Sequence, residues 1–175
     1  MYKDFSMTQG SFDPNKLPAI SWLTTLTQEE RDTFSSYGEV IIVEIENTLI
    51  REGETQPNFY FVLRGMLSIK RGSGSSESVV GVVSAGESLG EMTMVTSGAA
   101  SATVTTLETC TLWRISHESL MKFIREHPPA GNKILLALLC TVSERLLVAD
   151  SDLAMLLNER RSKVVREISN PPGSS

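Results

Sequence analysis

The 175-residue chain is 41% hydrophobic and 21% charged, which is typical of a single globular domain. Its formal net charge of −5 argues against binding to the phosphate backbone of nucleic acids, which needs a basic face. There is no run of about 18 apolar residues and no basic segment followed by an apolar one at the start, so the sequence predicts neither a membrane-spanning helix nor a secretion signal.

The N-terminal part of the chain predicts a flexible segment followed by short helices. Residues 1–16 are polar and contain Gly, Ser and Pro, so we expect them to be flexible. Residues 17–128 are predicted to form the folded domain. Thr27 and Glu30 have the spacing of a capping box, in which each side chain accepts the backbone amide of the other residue. This motif predicts a helix that ends near Tyr37.

Short runs rich in Val, Ile, Thr and Phe follow, with glycines between them. Arg64-Gly65 separates two of the runs and is typical of a turn, and the Gly/Ser-rich residues 72–76 predict a flexible hairpin tip. Strands of about five residues at intervals of about ten are typical of a sandwich or a roll. The predicted strands are 40–46, 59–63, 66–70, 79–83, 102–106 and 109–115.

The C-terminal part predicts a short helix capped by Ser116 and, after Pro128-Pro129, one long helix over residues 129–168. Apolar residues recur on this helix at alternating steps of four and three, which predicts a coiled coil and a homodimer. The alternative is a helix that packs on its own domain through one stripe. Residues 169–175 are predicted to be a disordered tail. The predicted dimer contacts are Leu135, Leu139, Val142, Leu146, Ala149, Leu153 and Leu156.

Cys110 and Cys140 have no CxxC spacing, and two cysteines are too few to ligate an iron–sulfur cluster. Free cysteines behave as small buried side chains in reducing compartments. We therefore expect a cytoplasmic protein in which both thiols are reduced and packed.

Three sequence segments, taken in order, resemble the cyclic nucleotide-binding domain. They are Arg51-Glu-Gly-Glu54 followed by residues 59–65 (FYFVLRG), residues 86–92 (GESLGEM), and Ala102-Thr-Val104. The family includes the sensor domain of catabolite-activator-type regulators and the regulatory subunits of protein kinase A. The resemblance covers about residues 20–150 and implies an α+β fold: a jelly-roll-like β-roll (a double-stranded β-helix) with N-terminal helices and a long C-terminal helix.

The resemblance also implies where a ligand would bind. A cyclic nucleotide carries one negative charge, and backbone amides at a tight turn suit an anion. Glu91 would accept a ribose hydroxyl, and Gly90 would let the backbone approach closely. On the long helix, Ser151 would contact the base, although it is equally compatible with a solvated surface position. The candidate ligand-binding residues are Gly90, Glu91, Met92, Ala100, Ser101, Ala102, Thr103 and Ser151.

One part of the family pattern is missing. The Pro-Arg pair of the family's phosphate cassette falls on Ala99-Ala100, and no Lys or Arg occurs from Gly72 to Trp113. Loss of a charge-assisted hydrogen bond costs about 1.5–3 kcal/mol, and each ~1.4 kcal/mol is a tenfold change in affinity. We therefore expect weak or absent binding of 3′,5′-cyclic AMP, unless a distant arginine replaces the cation. The candidates for that role are Arg51, Arg64 and Arg145.

Other classes of function find little support in the sequence. His117 and His127 are too few for a cupin metal centre, and no nucleophile–base motif is present, so we expect no catalysis and no metal. About seven residues follow Ile168, too few for a helix-turn-helix, so we expect no DNA binding by the chain itself. Two hypotheses remain: a sensor for a small anionic or nucleotide-like ligand, with no other cofactor, or a degenerate domain that serves as a dimeric protein-interaction module.

Overall fold

The computed structural model describes residues 17–91 and 98–169, with side chains up to Val148 except that of Ser75. The helices in this part of the chain are α1 (Gln28–Ser35), α2 (His117–Glu126) and α3 (Pro128–Ser169), with 3-10 turns at Ser21–Thr25 and Gly74–Ser76. The strands are β1 (Glu39–Val43), β2 (Thr48–Ile50), β3 (Asn58–Arg64), β4 (Met66–Arg71), β5 (Ser78–Ser84), β6 (Ser88–Leu89), β7 (Thr103–Thr106) and β8 (Cys110–Ser116).

These strands form two antiparallel four-stranded sheets within the described residues. The first has the order β1-β8-β3-β6 and the second β2-β7-β4-β5. The predicted β-roll is thus confirmed. Strands β3 and β4 belong to different sheets, so the turn at Gly65 is a corner between them. Gly65 has a φ of +98°, and a Cβ there would lie 2.6 Å from the Sγ of Cys110, which explains why a glycine occupies the corner.

Alternating strand residues place apolar side chains on the inner faces of both sheets. Val62, Leu67 and Leu112 are among the fully buried members of this cluster. Outside the first sheet, a second group of aromatic side chains joins the helices to the roll. Phe34 of α1 lies 4.7 Å from Trp113 of β8 and 4.8 Å from Phe123 of α2, measured between ring centroids.

The two predicted helix caps are present. The Glu30 amide donates to Thr27 Oγ1 at 3.2 Å and the Thr27 amide donates to Glu30 Oε2 at 2.7 Å. Lys133 of α3 lies 2.8 Å from the same carboxylate, and this contact lowers the pKa of Glu30. Ser116 accepts the Ser119 amide at 3.1 Å at the start of α2. Both helices therefore begin where their local sequence predicts.

The long helix α3 spans two compact units of the chain, which divide after residue 135. Ala130 and Ile134 are buried in the first unit. In the second, Leu139 and Leu146 are 61% and 62% exposed. The side chains of Ala149, Leu153 and Leu156 lie outside the described part, as do residues 1–16 and 170–175.

The two cysteines differ in their surroundings. Cys110 is buried, and burial raises the pKa of its thiol. Cys140 is exposed on α3, so the expectation that both thiols are packed is wrong for this residue. No helix in the described part of the chain is both long and apolar enough to cross a bilayer.

Candidate functional site

The first side of the candidate site is the turn at Gly90, directly after β6. Gly90 has a φ of +86°, and a Cβ there would lie 2.5 Å from the carbonyl oxygen of Asn58 at the start of β3. The close approach that requires a glycine is therefore made to the neighbouring strand. Glu91, which follows, is 4% exposed and so is nearly buried in the described structure. Met92 lies outside the described residues.

The second side of the candidate site is the segment 99–103, which leads into β7. The Ala100 amide donates to the Glu54 carbonyl at 2.9 Å, and the Ala100 carbonyl accepts from the Gly53 amide at 2.8 Å. Thr103 Oγ1 accepts from the Glu52 amide at 3.1 Å. Backbone groups of the loop after β2 therefore hold the segment 99–103 in place through hydrogen bonds.

The Ala100 side chain faces inward. It is 7% exposed and belongs to the same buried apolar cluster as Leu89 of β6. The neighbouring Ser101 is exposed. Both sides of the candidate site thus border one core, with Leu89 before the Gly90 turn and Ala100 at the start of the opposite segment.

A cation that the sequence analysis did not select lies beside this segment. Arg71, the last residue of β4, donates from Nε to the Ser101 carbonyl at 3.1 Å. Strand β4 is paired with β7, with Lys70 opposite Thr103 and Ile69 opposite Val104. Because side chains alternate along a strand, Arg71 is on the same side of β4 as Ile69, and at the end of the strand it is exposed. Arg71 was not proposed from the sequence, because it immediately precedes the stretch without Lys or Arg that begins at Gly72. The signal that would have found it is the pairing of β4 with β7.

The three arginines proposed from the sequence differ from Arg71 in where the structure places them. Arg51 and Arg64 are exposed, and within the described part of the chain neither side chain makes a hydrogen bond or ion pair to residues 98–106. Arg145 is partly exposed on α3, in the second compact unit. Ser151 is also on α3, and its side chain is not among those described. The roles of Arg145 and Ser151 stay predictions.

A separate surface cavity of about 490 Å³ has polar walls and lies near the start of β1 and the end of β8. Its cation, Arg114, is paired with Glu39 at 2.6 Å, and this contact raises the pKa of the guanidinium. That pairing leaves Arg114 less suited to an anionic ligand than Arg71. The cavity is lined by Ser36, Tyr37, Gly38, Glu39, Asn58, Arg114, Ile115, Ser116 and Ser119.

The two four-stranded sheets and the flanking helices define the class of fold, a β-roll followed by helices. The family model for the cyclic nucleotide-binding domain matches residues 41–127. The chain therefore belongs to the cyclic nucleotide-binding domain family, as its motifs predicted. No curated protein matches the sequence.

Solved structures agree on the fold. A cyclic nucleotide-binding domain from Methylobacillus flagellatus is 22% identical with a TM-score of 0.70, over 74% of this chain and 73% of that chain. The catabolite activator protein of Thermus thermophilus is 24% identical with a TM-score of 0.67, over 77% of this chain and 62% of that one. The c-di-GMP responsive regulator CLP of Xanthomonas campestris is 24% identical with a TM-score of 0.67, over 83% and 74%. This chain thus spans less than two thirds of the Thermus protein.

Proposed function

We propose that this chain is a regulatory ligand-binding domain whose site, between the Gly90 turn and the segment 99–103, binds a small anionic, nucleotide-like ligand. Its recognition of 3′,5′-cyclic AMP is weak or non-standard, because Ala100 stands where the family has an arginine. Three features support the proposal: family membership, the left-handed turn at Gly90 with the buried Glu91 beside it, and the backbone bracing of residues 99–103.

The observation that supports weak recognition of cyclic AMP is the buried methyl group of Ala100. This side chain is 7% exposed within an apolar cluster, so the cassette segment itself presents no cation to a phosphate. A phosphate bound there loses a bidentate, charge-assisted contact worth about 1.5–3 kcal/mol, which is about a ten- to hundredfold loss of affinity.

Calorimetric titration with 3′,5′-cyclic AMP, 3′,5′-cyclic GMP and cyclic di-GMP tests the proposal. We expect at least one of them to bind and to raise the melting temperature of the protein, with cyclic AMP binding weakly. If none of the three binds or stabilises the protein at millimolar concentration, the ligand-binding function is refuted.

We further propose that α3 makes the chain a homodimer. The support is the exposure of its apolar seam, where Leu139 and Leu146 are 61% and 62% exposed in a single chain. Replacement of Leu146 by Glu places a charge in the seam, and we expect light scattering to give the mass of a monomer. Glu144, also exposed on α3 but outside the seam, provides the control variant Glu144→Gln, which should keep the mass of the unmodified protein. An unchanged mass for Leu146→Glu would refute the seam.

One observation favours the second candidate, a protein-interaction module. Strand β5 lies at the edge of the second sheet and exposes three valines, Val79 (62%), Val80 (54%) and Val82 (52%). An exposed apolar edge strand is a surface on which another chain can dock. Affinity capture from the native cell with the unmodified protein and with Val82→Glu tests this candidate. A partner retained by the unmodified protein and lost from the variant supports it, and recovery of the protein only with itself counts against it.

A further inference from the structure

We infer that Arg71, from strand β4, supplies the positive charge that binds the anionic phosphate of the ligand in place of the missing cassette arginine. This inference rests on the ligand-binding function proposed above and assigns a specificity-determining residue to that site. It also gives a reason for non-standard recognition. The charged side chain belongs to β4, whereas the family's arginine belongs to the segment that precedes β7.

The position of Arg71 follows from the strand register. β4 and β7 are antiparallel neighbours, and their last paired residues are Lys70 and Thr103. Arg71 follows Lys70, and the strands are antiparallel, so Arg71 lies next to the segment that precedes Thr103. The hydrogen bond from Arg71 Nε to the Ser101 carbonyl, 3.1 Å long, fixes the guanidinium at that place.

The guanidinium has donors left for a ligand. Arginine carries five N–H donors, and the contact with Ser101 uses only the one on Nε. In the described part of the chain, the two Nη groups of Arg71 have no hydrogen-bond or ion-pair partner. The two Nη groups form the planar fork that pairs with two phosphate oxygens at once.

The surroundings leave that charge uncompensated. Glu52, whose Oε2 accepts the Gly72 amide at 2.9 Å, forms no ion pair with Arg71 among the described contacts. Lys70, the preceding residue, is by contrast paired with Glu77 at 3.1 Å. Of the two neighbouring cations at the end of β4, Arg71 is therefore the one available to an anion.

The test compares the unmodified 175-residue chain with three variants, Arg71→Gln, Arg71→Lys and Arg125→Gln. The method is calorimetric titration with whichever of cyclic AMP, cyclic GMP and cyclic di-GMP binds most tightly. Gln at 71 can still donate to the Ser101 carbonyl but has no charge, whereas Lys keeps the charge. Arg125 is exposed on α2 and controls for the change in net charge. We expect Arg71→Gln to bind at least about tenfold more weakly than the unmodified protein and Arg125→Gln to bind as the unmodified protein does. Arg71→Lys should bind with an affinity between those of Arg71→Gln and the unmodified protein, because it keeps the charge but loses the bidentate fork.

Salt dependence separates a direct charge from a positioning role. Raising the salt concentration from about 50 to 500 mM should weaken binding to the unmodified protein more than binding to Arg71→Gln, because only the former pairs an exposed cation with the phosphate. Equal affinity of the Arg71→Gln variant, or lower affinity with undiminished salt dependence, overturns the inference and leaves the ligand-binding function standing. Absence of binding by the unmodified protein removes both.

Discussion

The two sides of the candidate site are held in place by different means. At the Gly90 turn the backbone conformation is decisive, because Gly90 is left-handed and a Cβ on it would lie 2.5 Å from the carbonyl oxygen of Asn58. The segment 99–103 is held by hydrogen bonds from the β2–β3 loop and from Arg71. The shape of such a site therefore depends on the packing of the whole roll, whereas its charge depends on single side chains that can come from another strand.

The largest expected effect is on the backbone side. Gly90→Ala should destabilise the domain by about 2–4 kcal/mol, since a left-handed non-glycine residue costs about 1–3 kcal/mol and the new methyl group also meets the Asn58 carbonyl. Urea unfolding measures the loss. Gly86→Ala is the matched control, because Gly86 has a φ of +93° with open space around its Cβ position. Equal losses in the two variants would mean that the contact with Asn58 imposes no constraint.

The second largest effect, about 1.5–3 kcal/mol in the free energy of cyclic AMP binding, is expected at the segment 99–103. Ala100→Arg adds the family's cation to the one that Arg71 supplies, and its side chain has to leave the apolar cluster that holds the Ala100 methyl group. In a variant that folds, we expect the affinity for cyclic AMP to rise by about ten- to hundredfold in a titration. Ala99→Arg, one residue earlier and exposed, adds the same charge and should give a smaller gain. Thermal unfolding checks that both variants fold. A folded Ala100→Arg variant with unchanged affinity would contradict the view that this position lacks a needed charge.

The smallest effect concerns the bracing of the second side. Thr103→Val keeps the shape of the side chain but removes the acceptor of the Glu52 amide, so a loss of about 0.5–1.5 kcal/mol in unfolding free energy is expected. Thr105→Val, on the same strand, is the control, since its hydroxyl makes no hydrogen bond among the described contacts. If both variants lose the same amount, the Thr103 hydroxyl does not brace the segment.

Local sequence signals predicted much of the fold. The capping box at Thr27 and the cap at Ser116 act within three residues, and the structure contains both. Strands β2 and β6 have three and two residues, too few for an alternating pattern, and were not predicted. The Gly65 corner was predicted only as a turn, because the assignment of β3 and β4 to different sheets depends on contacts far apart in sequence.

The candidate site was also predictable only in part, because some of its features are local in sequence and others depend on distant contacts. The motif around Gly90 is visible in the sequence and, with the two other motif segments, led to the correct family. The sequence also shows that Ala100 stands where the family has an arginine. The contact between Arg71 and Ser101 joins residues that are 30 apart in the chain, and it arises from the register of β4 against β7. Neither periodicity nor composition specifies that register.

The central claim is that the backbone of the roll sets the shape of the site and that Arg71 supplies its positive charge. A crystal structure of the chain with a bound cyclic nucleotide is the direct test of this claim. We expect both Nη groups of Arg71 to lie about 3 Å from phosphate oxygens, with the phosphate between the Gly90 turn and the segment 99–103. A phosphate bound in that place with the Arg71 guanidinium turned away from it, and the charge supplied by another side chain, would contradict the account.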